Sequence, residues 1–309
     1  MARFKCIFLV VFLLIGLGVA VGRSPLQAIN AVTPSAYYLK GADIAYGTDL
    51  RHRLDVYAPQ GVQHPVPVVV FFYGGGWDSG QRADYAFVGE ALASRGMVAV
   101  LADYRLYPQV RYPGFVEDAA QAVAWTAREV QRYGGDPKRL FLMGHSAGAY
   151  NAAMVALDPR WLATQGMTPA ALRGWVGLAG PYDFIPVKNP AVRPVFFYPA
   201  TPPDSQPINH VNAATPPALL IAPLLDDTVD PVRNTGGLAK QLRAAGVNVA
   251  ERYYERTTHR SLIVAMARPL RALAPVLDEV AAFIASDGNR LPVVISSAAA
   301  SSTPKASPE

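Results

Sequence analysis

The chain has 309 residues, 51% of them hydrophobic and only 17% charged, which supplies a large apolar core and excludes a disordered or fibrous protein. A net charge of +5 without any Lys/Arg block excludes a nucleic-acid footprint. One cysteine, Cys6, excludes a disulfide framework, a thiolate metal cluster and a cysteine nucleophile.

Arg3 and Lys5 open the chain, and an uncharged run follows from Cys6 to Gly22. That run is short of the ~20 apolar residues a spanning helix needs. Small residues at Gly18, Ala20 and Ala28 offer a peptidase places to cut, so residues 1–28 are expected to be a signal peptide that exports the chain. The alternative is an uncleaved N-terminal anchor, the only route to membrane contact. Arg23, not a cysteine, follows the run, which excludes a lipid anchor.

From about residue 41 to residue 287, strand-like and helix-like segments alternate. Strands are expected at 53–57, 66–72, 97–101, 140–143, 175–178, 218–222 and 247–254. The run 66–72 is apolar throughout, as a strand buried on both faces should be. Helices are expected at 85–94, 115–133, 147–157, 238–245 and 271–285. Val116, Ala119, Ala120, Val123 and Ala127 carry helical spacing, and Gly134-Gly135 ends that helix. The alternation predicts an α/β fold, with a mostly parallel central sheet flanked by helices. Residues 181–217 hold ten prolines, too many for regular structure, and 182–217 is expected to form a small cap. The Ser/Ala/Pro-rich tail 296–309 is expected to be disordered.

Gly144-His145-Ser146-Ala147-Gly148 fits G-x-S-x-G, between an apolar strand and a small-residue helix. That is the setting of a nucleophile elbow, where glycines admit a sharp turn and expose a strained serine. A serine needs a base to become nucleophilic. The five histidines are His52, His64, His145, His210 and His259. In this architecture the acid and then the histidine follow the serine. His210 falls in the Pro-rich insertion, whereas His259 follows the strand 247–254 and is the candidate base. The acid belongs after the strand 218–222, where Asp226, Asp227 and Asp230 all qualify; its work is to orient the imidazole and stabilise its charged form.

Acyl transfer also needs N–H donors for an oxyanion. Tyr73-Gly74-Gly75-Gly76-Trp77 follows the buried strand 66–72, and the N–H groups of Gly75, Gly76 and Ala147 are the expected donors. Trp77 and the aromatics Phe196, Phe197 and Tyr198 either line an apolar pocket or fill the core of the cap. No H-E-x-x-H, P-loop or G-x-G-x-x-G on a strand–helix turn is present, so neither metal nor organic cofactor is expected.

Together these residues resemble the α/β-hydrolase fold, in the esterase/lipase branch with an HGGGW oxyanion loop. Further matching stretches are Asp103-Tyr104-Arg105-Leu106-Tyr107-Pro108, Phe115-Val116-Glu117-Asp118, Gly134-Gly135-Asp136-Pro137 and Pro181-Tyr182-Asp183-Phe184. Asp118 and Asp136 read as structural. The family pattern G-x-x-D-x-x-V-x-P aligns with Pro223, Asp226, Val229 and Pro231, which favours Asp226 as the acid. Two departures stand out: Tyr73 replaces the usual His before the glycines, and Ala222-Pro223 replaces the usual His-Gly. The resemblance implies a serine hydrolase of small-molecule carboxylic esters. An arylformamidase or small-amide hydrolase on the same machinery is the alternative, and a non-catalytic binding protein is a more distant one.

Overall fold

The computed structural model describes residues 25–289; most of the expected signal segment and the whole expected tail lie outside the described residues. One eight-stranded sheet runs in the order β1-β2-β4-β3-β5-β6-β7-β8. Its strands are β1 (Tyr38–Ala45), β2 (Arg53–Pro59), β3 (Val66–Phe72), β4 (Val98–Ala102), β5 (Gly135–His145), β6 (Leu172–Leu178), β7 (Ala218–Pro223) and β8 (Val249–Tyr254). β2 pairs antiparallel with β1 and β4, and every other pairing is parallel.

The helices are α1 (Pro25–Ala31), α2 (Ala86–Ala93), α3 (Gly114–Glu129), α4 (Ala147–Leu157), α5 (Pro159–Ala163), α6 (Gly237–Ala244), α7 (His259–Val264) and α8 (Val276–Ala285). Every residue of α4 is buried, which is why its sequence is mostly small and apolar. α8 starts five residues later than its apolar run suggests. Pro275 occupies the N-cap, and a proline inside a helix would remove a hydrogen bond and clash with the preceding turn.

β1 was not expected, and its composition explains this. It is an edge strand whose residues are half-buried or exposed, so no apolar face marks it. β5 is longer than the run 140–143 because its polar first half, through Asp136 and Lys138, pairs on one side near Val66. α1 begins inside the segment 1–28 and packs onto the body. Asn30 accepts from the Phe87 N–H (3.0 Å) and donates to the Ala83 carbonyl (2.9 Å), serving the start of α2.

The Pro-rich stretch is built from single 3-10 turns at Arg193–Phe196, Pro203–Ser205 and Pro207–His210, each with proline in its first turn. Strand register places the site. Phe72, Gly144, Gly177, Leu220 and Glu251 lie in one row across the sheet. The loops beyond that row, at the carboxyl ends of the strands, are where a parallel sheet holds its chemistry.

Candidate active site

Ser146 caps α4 with φ 54° and ψ −122°, a conformation L-residues avoid. Close packing imposes it. A Cβ on Gly144 would sit 2.1 Å from the Gly148 carbonyl oxygen, and one on Gly148 would sit 2.0 Å from that of Phe72. The Ser146 N–H donates to the Leu178 carbonyl at 2.9 Å, tying the turn to β6.

His259 is the first residue of α7, which a capping box between Thr258 and Ser261 opens. Its Nε2 lies 2.8 Å from Ser146 Oγ, and its Nδ1 lies 2.8 Å from Asp226 Oδ2. The His259 side chain is 8% exposed and that of Asp226 is 0% exposed, so the pair works largely out of water. Burial pushes the Asp226 carboxyl up, but the hydrogen bond and charge of His259 and the Val229 and Thr228 amides outweigh it. The net pKa is below the usual carboxylate value. Those amides both donate to Oδ1, at 3.0 and 2.9 Å, leaving Oδ2 for the imidazole.

The other candidates go elsewhere. Asp227 accepts from Thr228 Oγ1 and is exposed, and Asp230 accepts the Val232 and Arg233 N–H groups at the start of the next helical turn. His210 lies 2.6 Å from the Asp204 carbonyl within the Pro-rich stretch. Asp118 holds His52 and a bidentate Arg105, while Asp136 accepts the Lys138 N–H.

The glycine loop runs beside the elbow: a Cβ on Gly74 would come within 2.9 Å of Ser146 Cβ. Gly75 has φ 139° and Gly76 has φ 59°. A Cβ on Gly75 would meet the Ser79 carbonyl oxygen at 2.2 Å, so the loop admits no side chain there. Among the described residues, none of the Gly75, Gly76 and Ala147 N–H groups donates to a protein acceptor. For Ala147 this follows from its place in the first turn of α4, where no intrahelical acceptor exists.

No motif points to a partner for Tyr73. Its buried phenol accepts from Arg51 Nη2 at 2.6 Å, and the same nitrogen donates to the Gly80 carbonyl at 2.9 Å. Arg51 Nε also donates to the Tyr104 carbonyl, and the Tyr104 hydroxyl donates to the main-chain carbonyl of Tyr73 (2.7 Å). Arg51 thus clamps both ends of the glycine loop. A phenol in place of an imidazole needing a new partner was the one available signal, but it did not point to position 51.

Trp77 and Phe196 fill a core. They meet edge-on at 4.9 Å, with Tyr150, Phe115 and Phe184 around them, and are only 3% and 0% exposed. Phe197 and Tyr198 are exposed, beneath Arg111 and Arg193. Among the described residues, no cluster of His, Cys, Asp and Glu is arranged to hold a metal ion.

This sheet, with a serine elbow and a following acid and histidine, defines an α/β-hydrolase of the esterase/lipase branch. Residues 54–242 match the family model BD-FAE, and the chain belongs to that family. It is 30% identical to esterase LipC of Mycobacterium tuberculosis, over 67% of this chain and 56% of the relative. It is 28% identical to a probable isoprenylcysteine alpha-carbonyl methylesterase, ICMEL1, of Arabidopsis thaliana, over 72% of this chain and 51% of the relative. The chain spans about a third to about a half of the length of the curated relatives it matches. Among solved structures, a bacterial heroin esterase superposes with a TM-score of 0.67 at 24% identity, covering 84% of this chain and 88% of the other. Butyrate-bound Est2 of Thermogutta terrifontis gives 0.66 at 24%, covering 80% and 94%. These likenesses show a shared fold.

Proposed function

We propose that this chain is a serine hydrolase of small-molecule carboxylic esters. The unbroken line from Ser146 Oγ through His259 to Asp226, with both contacts at 2.8 Å, carries the reading. Ser146 Oγ attacks the ester carbonyl carbon while His259 Nε2 takes its proton. The oxyanion accepts from the N–H groups of Gly75, Gly76 and Ala147, none of which has a protein acceptor among the described residues. His259 then protonates the departing alcohol, and a water, deprotonated by the same nitrogen, hydrolyses the acyl-enzyme. Asp226 keeps the imidazole in the tautomer that leaves Nε2 free to accept, and stabilises the imidazolium. The relatives named as esterases and methylesterases support an ester as substrate.

The test is hydrolysis of p-nitrophenyl esters from acetate to decanoate by the full chain, beside Ser146→Ala. Turnover that disappears in the variant supports the reading. Fluorophosphonate labelling of Ser146 without ester turnover would redirect it to N-formyl amides, and neither labelling nor turnover would leave a binding protein.

Export belongs to the same proposal, on the basic start and apolar run before Gly22. Because α1 packs on α2 through Asn30, a cut after Ala20 leaves α1 whole while one after Ala28 divides it. N-terminal sequencing of secreted protein should therefore begin before Pro25. An intact Met1 on membrane-bound protein would indicate an anchor instead.

A further inference from the structure

His145 occupies a variable position of G-x-S-x-G, and the hydrolysis assigned above does not call on it. The residue is only 5% exposed, yet it is an imidazole where an apolar side chain would pack. Nε2 lies 2.9 Å from the main-chain carbonyl oxygen of His259. A carbonyl oxygen has no hydrogen to give, so Nε2 carries it and the neutral ring leaves Nδ1 bare. Nδ1 has no hydrogen-bond partner among the described residues and faces the glycine loop, where a Cβ on Gly74 would come within 3.0 Å. The rings of His145 and His259 stand 5.1 Å apart.

We propose that His145 is a positioning residue: its Nε2–H ties the backbone of the base to the elbow that carries the nucleophile. The inference rests on the ester-hydrolase reading. The capping box of Thr258 and Ser261 shapes the first turn of α7 but contains nothing that fixes its distance from Ser146. The bond from His145 supplies that distance, because its donor is the residue before the nucleophile and its acceptor is the carbonyl of the base. Burial, and then the neighbouring His259, hold the His145 pKa down at about 3, so the neutral donor persists across ordinary working pH.

Two variants separate donation from packing. His145→Phe keeps the ring and removes the donor, whereas His145→Gln carries an amide nitrogen the same number of bonds from the backbone as Nε2. With p-nitrophenyl butyrate, the Phe variant should lose about 30-fold in kcat, with KM within about 2-fold, as expected of a misplaced base. The Gln variant should return to within about 3-fold of the wild type if one hydrogen bond is what was lost. A folded Phe variant with wild-type kcat overturns the proposal, and so does a Gln variant as slow as Phe. If the Phe variant does not fold, His145→Asn replaces it. Its shorter amide cannot reach the His259 carbonyl, so slow turnover is expected and a wild-type rate overturns the proposal. A wild type without ester turnover would instead overturn the ester reading, before any variant is compared.

Discussion

Between Gly144 and Gly148 the chain is held by the exclusion of side chains, and between Leu224 and Pro231 it is held by hydrogen bonds to carboxylates. In the elbow, a single added Cβ would strike backbone at 2.0 or 2.1 Å. In the acid loop, two amides on one oxygen of Asp226 set the turn, while Leu224, Leu225 and Asp227 face solvent. Both loops deliver a side chain to the same imidazole at the same distance. Where packing fixes a residue, its sequence neighbours are fixed too and a short motif announces it. Where one carboxylate organises a loop, the neighbours are free and the motif falls silent.

The comparison can be broken first at the chemistry. Ser146→Ala should lower kcat by about 10⁵-fold or more and abolish fluorophosphonate labelling. Retained turnover would remove the elbow from the mechanism. In the other loop, Asp226→Asn should cost about 10⁴-fold in kcat by stabilising the wrong tautomer of His259. Its exposed neighbour sharpens the contrast: Asp227→Asn should stay within about 2-fold if hydrogen bonding to Asp226 alone organises the loop. The reverse result would move the acid by one residue.

Stability should divide the loops in the same way. Gly148→Ala should cost about 3 kcal/mol in urea unfolding, because the added carbon has no space beside the Phe72 carbonyl. Leu225→Ala, with its side chain largely in water, should stay within about 0.5 kcal/mol. Equal costs would erase the distinction.

A further effect is in pH. The folded pKa of His145, about 3, lies below its ordinary 6.5, so the unfolded chain binds the proton more readily. Stability from this residue is therefore complete above pH 6.5 and falls as pH drops toward 3. Between pH 7 and pH 5 the loss should be about 2 kcal/mol, seen in the wild type and absent in His145→Gln. Asp226 works in a lower window. Its depressed pKa contributes stability above the ordinary carboxylate value, lost only as pH falls through its lower folded one.

The same contrast governs what was legible in the sequence. The runs 66–72 and 147–157 match β3 and α4 because near-complete burial leaves mostly apolar or small residues to choose from. β1 was illegible because an edge strand at the surface keeps Lys40 and Asp43 beside Leu39 and Ile44. Ser146 stood out through its glycines. Asp226 did not: residue type and position left Asp226, Asp227 and Asp230 equal, and only a resemblance ranked them. Arg51 escaped altogether, since no spacing rule joins it to a loop more than twenty residues away.

The Arg51 clamp also limits how this chain can exchange parts with its relatives. Its guanidinium meets Tyr73, Gly80 and Tyr104 at once, so positions 51 and 73 form one hydrogen-bonded unit split across two segments. Placing a histidine at position 73 alone would withdraw the phenol and leave a cation facing a shorter ring. Recombination that imports the glycine loop without the segment carrying position 51 should yield crippled chimeras, while joint transfer of both should be neutral. A residue invisible to any motif thus ties together two segments that a crossover between them would separate.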